Sequence, residues 1–137
     1  TVIICSFGCD SSFDPRAKLD EKMIVYSVLS TERHMQFVLV QHNYMPKEFD
    51  PVSYITDNAL RDAIVSIRAS NGVYFLRDTV LRRPDTSRYK FPIQTFVLSP
   101  FTPQRGDIYE VIVQSIYYGV ASASVLIPGE SSAEPRK

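Results

Sequence analysis

Two cysteines and two histidines are the rarest reactive residues in this chain of 137, and only Cys9 stands in a context that would use its chemistry. It closes an apolar opening, Thr1-Val2-Ile3-Ile4-Cys5-Ser6-Phe7-Gly8-Cys9, and polar Asp10-Ser11-Ser12 follow at once. An apolar run, a small residue, a cysteine and a polar continuation is the order in which a secretory signal is cut and the new N-terminal cysteine takes lipid. On this reading Gly8 is the small residue before the cut and Cys9 is the lipidation site. Ser6 stands where a leucine is usual, and a basic n-region is expected upstream of Thr1. The rival expectation makes Val2 to Phe7 a first buried strand.

The remaining reactive residues form no catalytic constellation. Cys5 and Cys9 lack the further ligands a closed tetrahedral zinc site needs. His34 and His42 flank one expected strand at its opposite ends, too far apart to share a metal or a substrate. Asp57, Asp62, Asp78 and Asp107 lack the alternating acidic spacing of a calcium loop. No nucleophile elbow, glycine-rich phosphate loop or His-x-x-x-His helix is present. No metal, no cofactor and no enzyme activity are therefore expected. Arg105-Gly106-Asp107 spells an adhesion tripeptide, but it precedes a strand and reads as a plain turn. The tyrosines offer more. Tyr44, Tyr54 and the pair Tyr117-Tyr118 fall in expected loops or turns, as does Phe49, where rings give contact area to a protein or carbohydrate ligand at low entropic cost. Capping the ends of a core is the competing role.

The elements that must position these residues are β-length. With 45% hydrophobic content, the chain suffices for one ordinary core. Fifteen basic and fifteen acidic side chains cancel, which disfavours nucleic-acid binding. Residues 1–9 read as the remnant of a signal peptide, 10–22 as a spacer, 23–128 as the domain and 129–137 as a linker or tail. Within the domain, strands are expected over Met23 to Ser30, Met35 to His42, Ala63 to Ser70, Val73 to Arg77, Tyr89 to Leu98, Ile108 to Ile116 and Val120 to Ile127. The first two read as a hairpin at the centre of a sheet. Asn71-Gly72 predicts a type I′ hairpin turn, because both residues accept positive φ. Pro92 inside its run predicts an edge strand or a bulge. Asp78 to Arg88 reads as a solvated loop, and Ser53 to Leu60 as one or two helical turns. Tyr109, Val111 and Val113 are expected to face the core, as are Ala121, Ala123, Val125 and Ile127. About seven strands with almost no helix predict a two-sheet β-sandwich.

The closing section, Gly106-Asp107-Ile108-Tyr109 and then Gly119 to Pro128, resembles the last two strands of immunoglobulin-like and fibronectin type III-like modules. The resemblance implies that Tyr109 is the corner tyrosine, its ring inside and its hydroxyl bonded to backbone. Asp62 to Ile67 followed by Asn71-Gly72-Val73-Tyr74 looks like a section of carboxypeptidase-regulatory-like domains. Together with Cys9, the chain from about Cys9 to Pro128 most resembles the N-terminal Ig-like or cadherin-like domain of uncharacterised Bacteroidota lipoproteins. The paired cysteines and tryptophan of antibody domains are absent. What the resemblance implies is a non-catalytic binding or assembly module, lipid-anchored in a bacterial cell envelope on the outer-membrane or periplasmic side. A structural spacer and an accessory domain of a larger hydrolase stand as alternatives.

Overall fold

Runs rich in Val, Ile, Phe and Tyr, broken by proline, glycine and polar clusters, form eight strands in the computed structural model, which describes residues 18–45, 57–86 and 91–129. In chain order they are β1 (Met23–Val28), β2 (Gln36–His42), β3 (Ile64–Ala69), β4 (Gly72–Phe75), β5 (Arg77–Leu81), β6 (Ile93–Leu98), β7 (Ile108–Ser115) and β8 (Gly119–Leu126). They make two antiparallel four-stranded sheets, ordered β1-β2-β6-β5 and β4-β3-β7-β8. The protein is an all-β sandwich, and no described residue is helical.

Register explains which residues meet inside. Val38 lies opposite Phe96 in one sheet, while Val65 lies opposite Val113 and Ile67 opposite Val111 in the other. Directly opposed residues share a face, so the period of two carries whole rows of apolar side chains inward. Val38, Val40 and Phe96 meet Val65, Ile67, Tyr109, Val111 and Val113 in one core, with Leu60, Ala63 and Ile127 packed against them. Each fully buried Val or Ile contributes roughly 1.5–3 kcal/mol by leaving water.

A single extended stretch joins the two layers. β4 pairs with β3, and after one residue β5 pairs with β6 in the opposite sheet. The residue between them is Leu76, which is buried and whose N–H still donates to the Val65 carbonyl at 2.9 Å. Leu76 thus holds one sheet by its backbone and the shared core by its side chain, at the point where the strand crosses.

Several expectations are corrected. Part of the segment read as a solvated loop is β5, an edge strand whose charged Arg77 and Asp78 hid its two-residue alternation. The strand near Pro92 begins at Ile93 and lies inside its sheet, between β2 and β5; Pro92 precedes the ladder, so it has no donor to supply there. β1 is an edge strand, and only its partner β2 is interior. The β3–β4 hairpin forms one residue earlier than expected, with Ala69 opposite Gly72 and Ser70-Asn71 between them. It is not a type I′ turn, because Asn71 does not take positive φ; Gly72 alone does, at +154°. Of the segment expected to be helical, 53–56 lie outside the described residues, while Ala59 forms an extended bridge with Gln41. On β8, Ala123 and Val125 are exposed and only Ile127 beyond it is buried. Its small side chains leave an apolar groove of about 400 Å³ against β1, lined by Val25, Val28, Leu29, Ala121, Ala123 and Val125.

Two buried glutamines carry structure that composition does not reveal. The Gln36 amide accepts the Ser30 N–H at 2.8 Å and donates to the carbonyls of Ser30, Arg33 and Phe101, at 3.0, 2.8 and 3.2 Å. It therefore pins the β1–β2 connection to the segment after β6. Gln94 donates to the Asp78 carboxylate, while its own side-chain oxygen is buried with no hydrogen-bond partner among the described residues.

Candidate functional site

The strands run so that one end of the sandwich collects the start of β1, the end of β2, the start of β3 and the β7–β8 turn. The chain is fastened there before β1 begins. The Lys22 N–H donates to Asn43 Oδ1 at 2.5 Å, the Asn43 N–H returns to the Lys22 carbonyl at 3.0 Å, and Asn43 Nδ2 donates to the Asp20 carbonyl at 2.9 Å. The segment approaching β3 docks on the same end, with the His42 N–H on the Asn58 carbonyl and the Leu60 N–H on the Val40 carbonyl, both at 3.0 Å.

The β7–β8 turn consists of Ile116, Tyr117 and Tyr118 and closes on Gly119 at φ +77°, a backbone position that suits glycine. Buried Ser115 shapes it. Its Oγ accepts the N–H groups of Tyr117 and Tyr118 at 3.3 and 3.4 Å and donates to Asp62 Oδ2 at 3.1 Å. Held this way, the turn leaves Ile116 86% and Tyr117 82% exposed. Tyr118 folds back. Its ring stacks on His42 at 6.0 Å between centroids, 9° from parallel, and its hydroxyl donates to Glu21 Oε2 at 3.1 Å. His42 Nδ1 lies 2.8 Å from the Asn43 carbonyl, which can only accept, so that nitrogen carries the proton. Partial burial raises the Tyr118 pKa above the ordinary tyrosine value, and the hydrogen bond and charge of Glu21 and the charge of Asp62 push the same way.

Of the four tyrosines singled out in the sequence, Tyr117 and Tyr118 form this turn, and Tyr44 lies two residues past β2 at the same end, 41% exposed. Tyr54 lies outside the described residues, as do Phe49 and Cys9. Ile116 was missed, because it continues the apolar alternation of β7 and reads as strand. An apolar residue just before a Tyr-Tyr-Gly turn was the signal available.

The other sequence candidates do not converge. His34 and His42 lie at opposite ends of β2, and His34 Nδ1 is 2.8 Å from Thr102 Oγ1. Asp57 and Asp62 lie at the tyrosine end, Asp107 at the far end and Asp78 on the edge strand β5, so the four acids do not gather around one cation. Among the described residues, no three His, Cys, Asp or Glu side chains stand where they could hold a metal ion. Arg105-Gly106-Asp107 is tied to the end of the last strand: the Gly106 N–H donates to the Ile127 carbonyl at 2.8 Å, and the Ile127 N–H to the Asp107 carbonyl at 2.9 Å. At that same far end, buried Tyr109 accepts the Gln104 N–H on its hydroxyl at 2.8 Å, closing the corner between β6 and β7. Its ring meets Phe101 edge-on at 5.9 Å.

No protein-family model matches the chain, and no curated relative matches it.

Proposed function

We propose that the chain is a non-catalytic binding or assembly module of a bacterial lipoprotein, an Ig-like sandwich anchored in the cell envelope by lipid on Cys9. The observation that carries this reading is the gathering of Tyr44, Tyr117 and Tyr118 at one end beside exposed Ile116, on a scaffold whose inward strand faces hold the core. Such a surface offers rigid apolar area with polar tips, the composition of contact sites for protein or carbohydrate. The Ig-like assignment draws support from the strand orders β1-β2-β6-β5 and β4-β3-β7-β8, which correspond to A-B-E-D and to C-F-G extended by one strand beside C. The backbone bond to the Tyr109 hydroxyl supports it further. The anchor is tested by growing bacteria that express the full-length protein with radiolabelled palmitate. The wild type is expected to take up label and fractionate with membranes, and Cys9→Ser to lose both; an unlabelled, soluble wild type overturns the anchored reading.

A further inference from the structure

The end that carries the tyrosines is also the end at which the chain arrives from Cys9. Glu21 is bonded to the Tyr118 hydroxyl, and Lys22 is clipped to Asn43, so the first described residues reach the sandwich beside the β7–β8 turn. Thirteen residues, Asp10 to Lys22, separate the cysteine from β1 and span at most about 45 Å when fully extended. A lipid on Cys9 therefore tethers the sandwich to the bilayer through this end.

The turn itself is unusual in its chemistry. Tight turns favour Gly, Asn, Asp and Ser, whereas this one holds an isoleucine and a tyrosine out in water, 86% and 82% exposed, while Ser115 bonds the backbone of Tyr117 and Tyr118. Neither side chain adds to the core. A tyrosine, apolar in its ring and polar at its tip, matches the headgroup level of a membrane, and an isoleucine matches the acyl boundary just beneath. The charges at this end are of both signs, Lys18, Lys22 and Arg61 against Asp20, Glu21, Asp57 and Asp62, so they supply no strong single-sign field. A membrane contact made through these two side chains would be apolar and insensitive to salt.

We propose that the Ile116-Tyr117 tip seats in the headgroup layer of the membrane that holds the lipid, setting the sandwich end-on to the bilayer. The proposal names the partner of the tyrosine surface and rests on the reading of Cys9 as the anchor. The test uses the full chain with Cys5→Ser, which leaves Cys9 as the sole thiol, coupled to a maleimide lipid in phosphatidylcholine vesicles. Because the protein has no tryptophan, Tyr117→Trp provides a single emitter, and Asn71→Trp, exposed at the far end, provides its control. The expected result is blue-shifted emission from Tyr117→Trp that lipids brominated on their acyl chains quench, at low and high salt alike, with Asn71→Trp unaffected. Adding Ile116→Ser should abolish that quenching. Solvent-like emission from Tyr117→Trp, or equal quenching at both positions, overturns the proposal. Chemical coupling makes these outcomes independent of processing in the cell, whereas palmitate labelling judges the Cys9 reading by itself.

Discussion

Tyr109 shows how one hydroxyl can hold a corner. Its ring is buried against Phe101, and its hydroxyl accepts the Gln104 N–H and donates to Asp107 Oδ2 at 3.5 Å; Tyr109→Phe keeps the packing and removes both bonds. Because Gln104 is at the surface, water can partly replace the lost partner, and the expected cost is about 1 kcal/mol in a urea titration. An unchanged midpoint would show that the two bonds add nothing to stability. Tyr118 makes a different prediction. Burial, then Glu21, then Asp62 raise its pKa, so the folded state holds the phenolic proton more tightly than the unfolded chain does. The stabilisation is complete below the unfolded value of 10.0 and is lost as pH rises through the folded pKa. Glu21→Gln should lower the Tyr118 midpoint in an alkaline titration followed by NMR of the ring. A midpoint that stays in place would remove Glu21 as a cause.

Between strands, the crossing at Leu76 matters more than the ion pairs. Leu76→Ala opens a cavity where β4 becomes β5 and should cost about 2–5 kcal/mol. Arg68 and Glu110 pair at 2.6 Å across the exposed face of β3 and β7, and Arg68→Ala should cost less than about 1 kcal/mol. Equal losses in parallel denaturant titrations would contradict the view that the core, and not surface charge, binds the sheets. The same strands show what sequence could reveal. β3 and β7 were legible because apolar residues recur at every second position there, and β2 because Phe37-Val38-Leu39-Val40 is an unbroken apolar run of strand length. β5 was not, since an edge strand exposes Arg77, Asp78 and Val80 and loses that pattern. The β3–β4 hairpin was legible but its turn type was not, because Gly72 is already paired in the ladder and neither central residue, Ser70 or Asn71, takes positive φ. At the candidate site, loop tyrosines could be picked out by their separation from strand runs. Their meeting at one end depends on the antiparallel order of strands distant in sequence, and the part played by Ser115 depends on a turn geometry that no local motif announces.

At the level of the whole molecule, one core drawn from both sheets implies one cooperative transition. Far-ultraviolet circular dichroism of the segment from Asp10 to Pro128 should be dominated by β structure, and its thermal loss should coincide with the change in tyrosine fluorescence. A third or more helix, or two separated transitions, would contradict the single sandwich. The positions of the outermost strands carry a mechanical consequence. β1 starts at the tyrosine end, β8 finishes at the far end, and the two strands point the same way. Tension between an anchor before β1 and a load after β8 therefore pulls along the strand axes, across ladder bonds that lie perpendicular to them. The bonds of β1 to β2, and of β8 to β7, share that load in shear and resist as a set, where a pull across the strands would unzip them one at a time.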